Sequence, residues 1–168
     1  MNPQKFNELA DHYIAAFAEI NGPQHIEYYK WQIARQFKPA IDDALKASDE
    51  ELPKKLYTVK KLTRNIIDNY TTPFNGLIEF AKKEPVTVRK LVSELLAAAD
   101  APIEEKQKAI SVFLIGSHAL REKYYPDSYL YKDDMHSATA YLFLYDPDHN
   151  YLFKASHCGK FADCIEFY

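Results

Sequence analysis

The sequence predicts a mainly α-helical protein, a multi-helix bundle of about seven helices followed by a C-terminal β-hairpin. Three observations carry this reading. Apolar residues recur at helical spacing through the first 125 positions, caps and prolines punctuate them, and after Tyr125 the pattern turns β-branched and aromatic. The expected division is residues 1–125 as the helical bundle, and 126–168 as the β-hairpin and tail, packed on that bundle and truncated before a downstream domain.

The helices can be justified in order. Asn2 is a suitable N-cap with Pro3 at the first helical position, and Phe6, Leu9, Ala10, Tyr13, Ile14, Phe17 and Ile20 make one stripe over residues 2–21. A second helix opens at Pro23, with Ile26, Tyr29, Ile33 and Phe37 on one face and Trp31 on another, until Pro39 breaks it. A short helix spans 40–47. Ser48 and Glu51 form a capping box before a helix running to about Tyr70, with Leu52, Leu56, Val59, Leu62 and Ile66 inward and Pro53 tolerated in its first turn. "TTP" caps a helix over 73–82. Glu84-Pro85 starts another, striped by Val88, Leu91, Val92, Leu95 and Leu96. Asp100 and Pro102 open a long helix to about Lys123, buried through Ile103, Ile110, Phe113, Leu114 and Leu120. Then "ATAYLFLYD" and "YLFKAS" read as strands around a "PDHN" turn.

Composition sets bounds on function. At 168 residues and 47% hydrophobic the chain buries a real core, and 13 tyrosines and 10 phenylalanines supply large side chains with partly polar tips. No apolar run approaches membrane-span length, so no membrane partner is expected. "MNPQKFNELADHY" has no basic segment leading into an apolar run. With two cysteines, this predicts reduced thiols and a cytoplasmic home. Net charge is −3 but uneven: Pro53 to Lys90 carries +6, from Lys54, Lys55, Lys60, Lys61, Arg64, Lys82, Lys83, Arg89 and Lys90 against Asp68, Glu79 and Glu84. The remainder is therefore −9.

Motifs for chemistry are sparse. "KASHCGKFADC" (154–164) lacks the first glycine and the Ser/Thr of a phosphate loop. His157, Cys158 and Cys164 are soft ligands, but their spacing is not that of a zinc knuckle, and on an extended chain Cys158 and His157 point apart. The stretch reads as a turn with two buried free thiols. Asp133, Asp134 and His136, and likewise Asp146, Asp148 and His149, are candidates for a hard cation or for acid–base work, and equally ordinary turn residues. Pro126-Asp127 and Pro147-Asp148 lack the second half of a PD-(D/E)-x-K nuclease motif. No cofactor and no catalytic residue is expected.

The basic segment is the stronger lead. If "PKKLYTVKKLTR" is helical, Lys54, Lys61 and Arg64 share a strip, with Lys60 and Lys83 near, and clustered cations attract phosphates. The competing reading is a solvated face balanced by the acidic remainder. Tyr28, Tyr29, Tyr57, Tyr70, Tyr124, Tyr125, Tyr129 and Tyr131 are candidates for base stacking, or for resting on the bundle with wet hydroxyls.

Three segments in order resemble the N-terminal region of McrB-like AAA+ ATPases, the motor subunits of modification-dependent restriction systems. "EYYKWQIARQF" (27–37) is similar to their early E-x-YKW helix, and "EFAKKEPVTVRKLVSELL" (79–96) to a following helix pair. "ATAYLFLYDPDHNYLFK" (138–154) is similar to the hairpin before the motor. The resemblance implies a non-catalytic targeting module from a defence system, whose partners are DNA and the downstream or partner subunits of a restriction complex. The Walker motifs are absent from the chain, which implies a piece ending ahead of the motor. Because that region varies in the family, no binding residue carries over, and Lys54, Lys55, Lys60, Lys61, Arg64, Lys82, Lys83, Arg89 and Lys90 are the expected phosphate contacts from charge alone. The alternative is a protein-interaction or oligomerisation scaffold that docks through the hairpin edge and the tail after Phe161.

Overall fold

The structure is a computed structural model and describes residues 1–25, 28–63, 66–68 and 71–167. It is mainly α, with eight helices and no strand among the described residues: α1 (Pro3–Ile20), α2 (Tyr29–Lys46), α3 (Leu52–Thr63), α4 (Pro73–Ala81), α5 (Pro85–Ala97), α6 (Ile103–Tyr124), α7 (Met135–Tyr145) and α8 (Ala155–Cys164). The chain divides into two compact units, one formed by residues 1–32 and 153–168 and the other by 33–152. The division falls within α2.

The larger unit holds most of the core. α5 packs on α6 and on α4, and α4 packs on α3. The α5 stripe of Val88, Leu91, Val92, Leu95 and Leu96 is buried as its spacing requires. Phe37, Phe74, Phe80 and Phe113 are the largest wholly buried side chains. The start of α4 is not capped by Thr72, which sits in the left-handed region with φ 44°. Instead Asp68 Oδ1 accepts from the backbone N–H groups of Phe74 (2.8 Å) and Asn75 (3.3 Å). This satisfies donors that a helix N-terminus leaves orphaned.

Several expectations change. Pro39 does not break α2, which runs through it to Lys46. An interior proline forfeits a hydrogen bond and costs about 3 kcal/mol. The stripe Ile33, Phe37, Ile41 and Ala44 is buried on both sides of the proline, and each large side chain returns roughly 1.5–3 kcal/mol. α3 ends at Thr63, short of Tyr70, and Ile66 is buried from a bend after it. Ile26, Glu27, Arg64 and Tyr70 lie outside the described residues.

The C-terminal β-hairpin is corrected: its first strand is α7 and its second gives way to α8. A continuous apolar run carries no period that separates a buried strand from a helix enclosed on every side. In α7, Ala138, Ala140, Tyr141, Leu142, Phe143 and Leu144 are all buried. The decisive local signal is a capping box: Ser137 N–H donates to Asp134 Oδ1 and Asp134 N–H to Ser137 Oγ, both at 2.9 Å. The "PDHN" turn exists, but it leads out of α7 toward α8 and joins no strands. Asn150, buried, donates from Nδ2 to the carbonyls of Ala99 and Asp146. Without a hairpin there is no strand edge for docking among the described residues.

The smaller unit is built differently. Asn2 caps α1 by accepting from Lys5 N–H, and its own N–H donates to Ile165 O at 2.6 Å. Lys5 Nζ pairs with Glu166 at 2.6 Å, and Phe6 meets Phe161 edge-on at 6.4 Å. Neither α1 nor α8 carries a buried residue.

Candidate nucleic-acid interface

Helix α3 supplies the core of the basic segment. Leu52, Leu56, Val59 and Thr63 bury one face, which turns Lys54 and Lys61 outward, seven residues apart and so roughly 10 Å apart along the same face. Both are exposed. Between them stands Tyr57, 49% exposed, and the Lys61 ammonium lies 4.6 Å from the centre of its ring. That cation–π contact places a positive charge beside an accessible aromatic face.

The other predicted cations are mostly spoken for. Lys55 pairs with Asp43 at 2.7 Å, and that hydrogen bond raises its pKa. Lys60 lies 3.6 Å from Asp68. Lys82 pairs with Glu79 at 2.6 Å, which likewise raises its pKa, and Lys90 lies 3.8 Å from Glu94 one turn on. Arg89 reaches back to the α2–α3 connection, donating to Ala47 O (3.0 Å) and Asp49 (2.8 Å). It is a structural tie. Arg64 is not among the described residues. Lys54, Lys61 and Lys83 are therefore the exposed predicted cations with no acidic partner among the described residues. Lys54 and Lys82 also line one shallow concavity, where Asp49 and Glu50 join them.

The tyrosines divide as well. Tyr57 and Tyr129 stand open to solvent. Tyr125 and Tyr131 pack edge-on at 4.9 Å beside Phe80. Tyr124 donates to Glu84 Oε1 at 2.7 Å, which also takes Lys123 at 2.6 Å, while Thr87 donates to Oε2. These donors hold the Glu84 carboxyl down at about 2. Tyr28 and Tyr29 lie at the start of α2, where burial and the Lys154 ammonium lower the pKa of Lys30.

"KASHCGKFADC" is not a turn; residues 155–164 form α8, and both cysteines are free and exposed rather than buried. No group of three or more His, Cys, Asp or Glu among the described residues is arranged to hold a metal ion. His149 and Asp146 meet at 2.8 Å in an exposed turn. Comparison with known protein families, curated proteins and solved structures finds no match. No helix among the described residues is long and apolar enough to cross a membrane.

Asp133, a candidate by its sequence neighbours Asp134 and His136, instead takes Ser117, Ser137 and Tyr141 as partners. Asp133 is wholly buried and accepts from Ser117 Oγ (2.5 Å), Ser137 Oγ (2.9 Å) and Tyr141 OH (3.3 Å), with His118 on its backbone carbonyl. Burial raises the carboxyl to about 6 against those hydroxyls, and the same burial raises the Tyr141 phenol. The cluster ties α6 and α7 together at the start of α7. Positions 133, 137 and 141 fall at helical spacing, a signal visible only once this segment is read as helix.

Proposed function

We propose that this chain is a DNA-contacting targeting module of the McrB-like type, working through the outer face of α3. Lys54 and Lys61 make the phosphate contacts, Tyr57 lies between them, and Lys83 adds charge from the α4–α5 connection. The reading is carried by one observation. After the ion pairs among the described residues are discounted, two ammonium groups remain on one exposed helix face with an accessible ring between them. Phosphate contacts position a protein without reading sequence, so this face supplies affinity rather than base choice.

The test is binding to a labelled duplex, unmethylated and methylated, at low and at physiological salt. Each phosphate contact contributes roughly 0.9 to the slope of log K against log salt. With two or three contacts, affinity is expected to fall by about tenfold or more over that range. Lys54→Glu/Lys61→Glu is expected to weaken binding and flatten the slope, whereas Lys55→Glu/Lys90→Glu changes it little. Absence of binding at low salt, or equal loss in both double variants, contradicts the proposal.

A further inference from the structure

The outer face of α3 carries one row of cations rather than a field of them. At 3.6 residues per turn, Lys54 and Lys61 fall within about 20° of each other around the axis. They stand opposite the face that Leu52, Leu56, Val59 and Thr63 bury. On one flank of the row Asp43, itself exposed, holds Lys55 at 2.7 Å; on the other, Asp68 lies 3.6 Å from Lys60. Asp49, Glu50 and Glu51, all exposed, come just ahead of the helix. A single positive row bordered by carboxylates is complementary to one phosphodiester backbone. A duplex groove has a backbone along each wall, and a helix laid in it would set these carboxylates against the second.

Tyr57 makes the same choice. Tyr124, Tyr141 and Tyr145 donate their hydroxyls to Glu84, Asp133 and Asp42. The ring of Tyr57 is instead half exposed beside the Lys61 ammonium, 4.6 Å from its centre. Paired bases hide their faces in the stack and show a protein only their edges, so a ring beside a duplex has nothing flat to cover. An unpaired base offers its face, and stacking on an aromatic side chain strengthens binding roughly fivefold to more than a hundredfold per base.

Resting on the DNA reading above, we propose that the strand held by α3 is unpaired: Lys54 and Lys61 take phosphates of a single strand, and Tyr57 stacks on a base between them.

Binding of the full chain at low salt to a labelled strand without self-complementarity, alone and annealed to its complement, tests this. The single strand is expected to bind at least about tenfold tighter than the duplex. Tyr57→Leu is expected to weaken single-strand binding about tenfold and to leave duplex binding unchanged. Its salt slope stays that of the native chain, because no phosphate contact is lost. Tyr57→Phe keeps the ring and with it the affinity. A strand of abasic nucleotides keeps every phosphate, and the native chain should bind it no tighter than Tyr57→Leu binds the intact strand. No binding to either form at low salt overturns the DNA reading and this inference with it. Duplex binding as tight as single-strand binding, or an equal loss on both forms in Tyr57→Leu, overturns the strand choice alone and leaves the phosphate contacts of Lys54 and Lys61 standing.

Discussion

Helices α1 and α5 are alike in sequence and opposite in setting. Each has an apolar stripe at i, i+3, i+4 spacing, and each begins with a proline at its first position. All five stripe residues of α5 are buried, whereas α1 buries none. Periodicity therefore tells which face of a helix needs cover, and says nothing of what provides it. For α5 the cover is α4 and α6 of the same unit; α1 meets Phe161 at Phe6 and keeps its stripe largely exposed.

The comparison is broken most sharply by truncation. Leu95→Ala in α5 removes a side chain that is 1% exposed, and is expected to cost about 2–5 kcal/mol in denaturant unfolding. Leu9→Ala in α1, measured in dilute solution, should stay within about 0.5 kcal/mol. Similar losses at the two sites would mean that α1 is part of the folded core.

Acid sharpens the contrast within the larger unit. Asp133, at about 6 in the fold, is raised above its unfolded value of 3.8. Its contribution is therefore present in full below about pH 4 and is lost as pH rises through 6, amounting to roughly 3 kcal/mol. Glu84 behaves in the opposite sense. Held at about 2 against 4.5 unfolded, it stabilises above pH 4.5 and that contribution is lost as pH falls toward 2. Stability measured against pH is expected to decline from pH 4 to 6 in the native chain, and Asp133→Asn should remove that decline. An unchanged slope in the variant would show that Asp133 is not its source.

Two glycines make the smallest test. A Cβ at Gly76 would meet Tyr131 Cβ at 2.8 Å and Tyr131 backbone atoms at 3.0–3.1 Å, and Tyr131 already holds a positive φ of 62°. Gly76→Ala is expected to destabilise by about 1–3 kcal/mol. Gly159, inside α8, has nothing within 4 Å. Gly159→Ala should stabilise by roughly 0.5–1 kcal/mol through helix propensity. A shift in melting temperature of the same sign for both would contradict this division into packed and open surfaces.

The same contrasts explain how much of the fold is legible in the chain. Helices bounded by Asn2, Pro73, Pro85 and Pro102 are readable because caps and prolines act locally and their stripes have a helical period. α7 reads as a strand because its apolar run lacks a period and is rich in aromatic residues (Tyr141, Phe143 and Tyr145); the Asp134–Ser137 box is the one local sign of a helix there. Pro39 reads as a helix end, but a buried stripe on both sides overrides it. Of the candidate site, the charge excess of residues 53–90 is readable, but its neutralisation is not. Asp43 and Asp49 meet Lys55 and Arg89 only through the fold, over separations no local pattern records. Asp133 is legible as a candidate, but its partners are hidden for the same reason, since Ser117 comes from another helix.

Hydrogen exchange of the full chain in dilute solution tests the contrast between α1 and α5 most directly. The account predicts slow exchange in α5 and fast exchange in α1. Protection of α1 equal to that of α5 in dilute solution would contradict it, because the stripe would then be covered within its own chain.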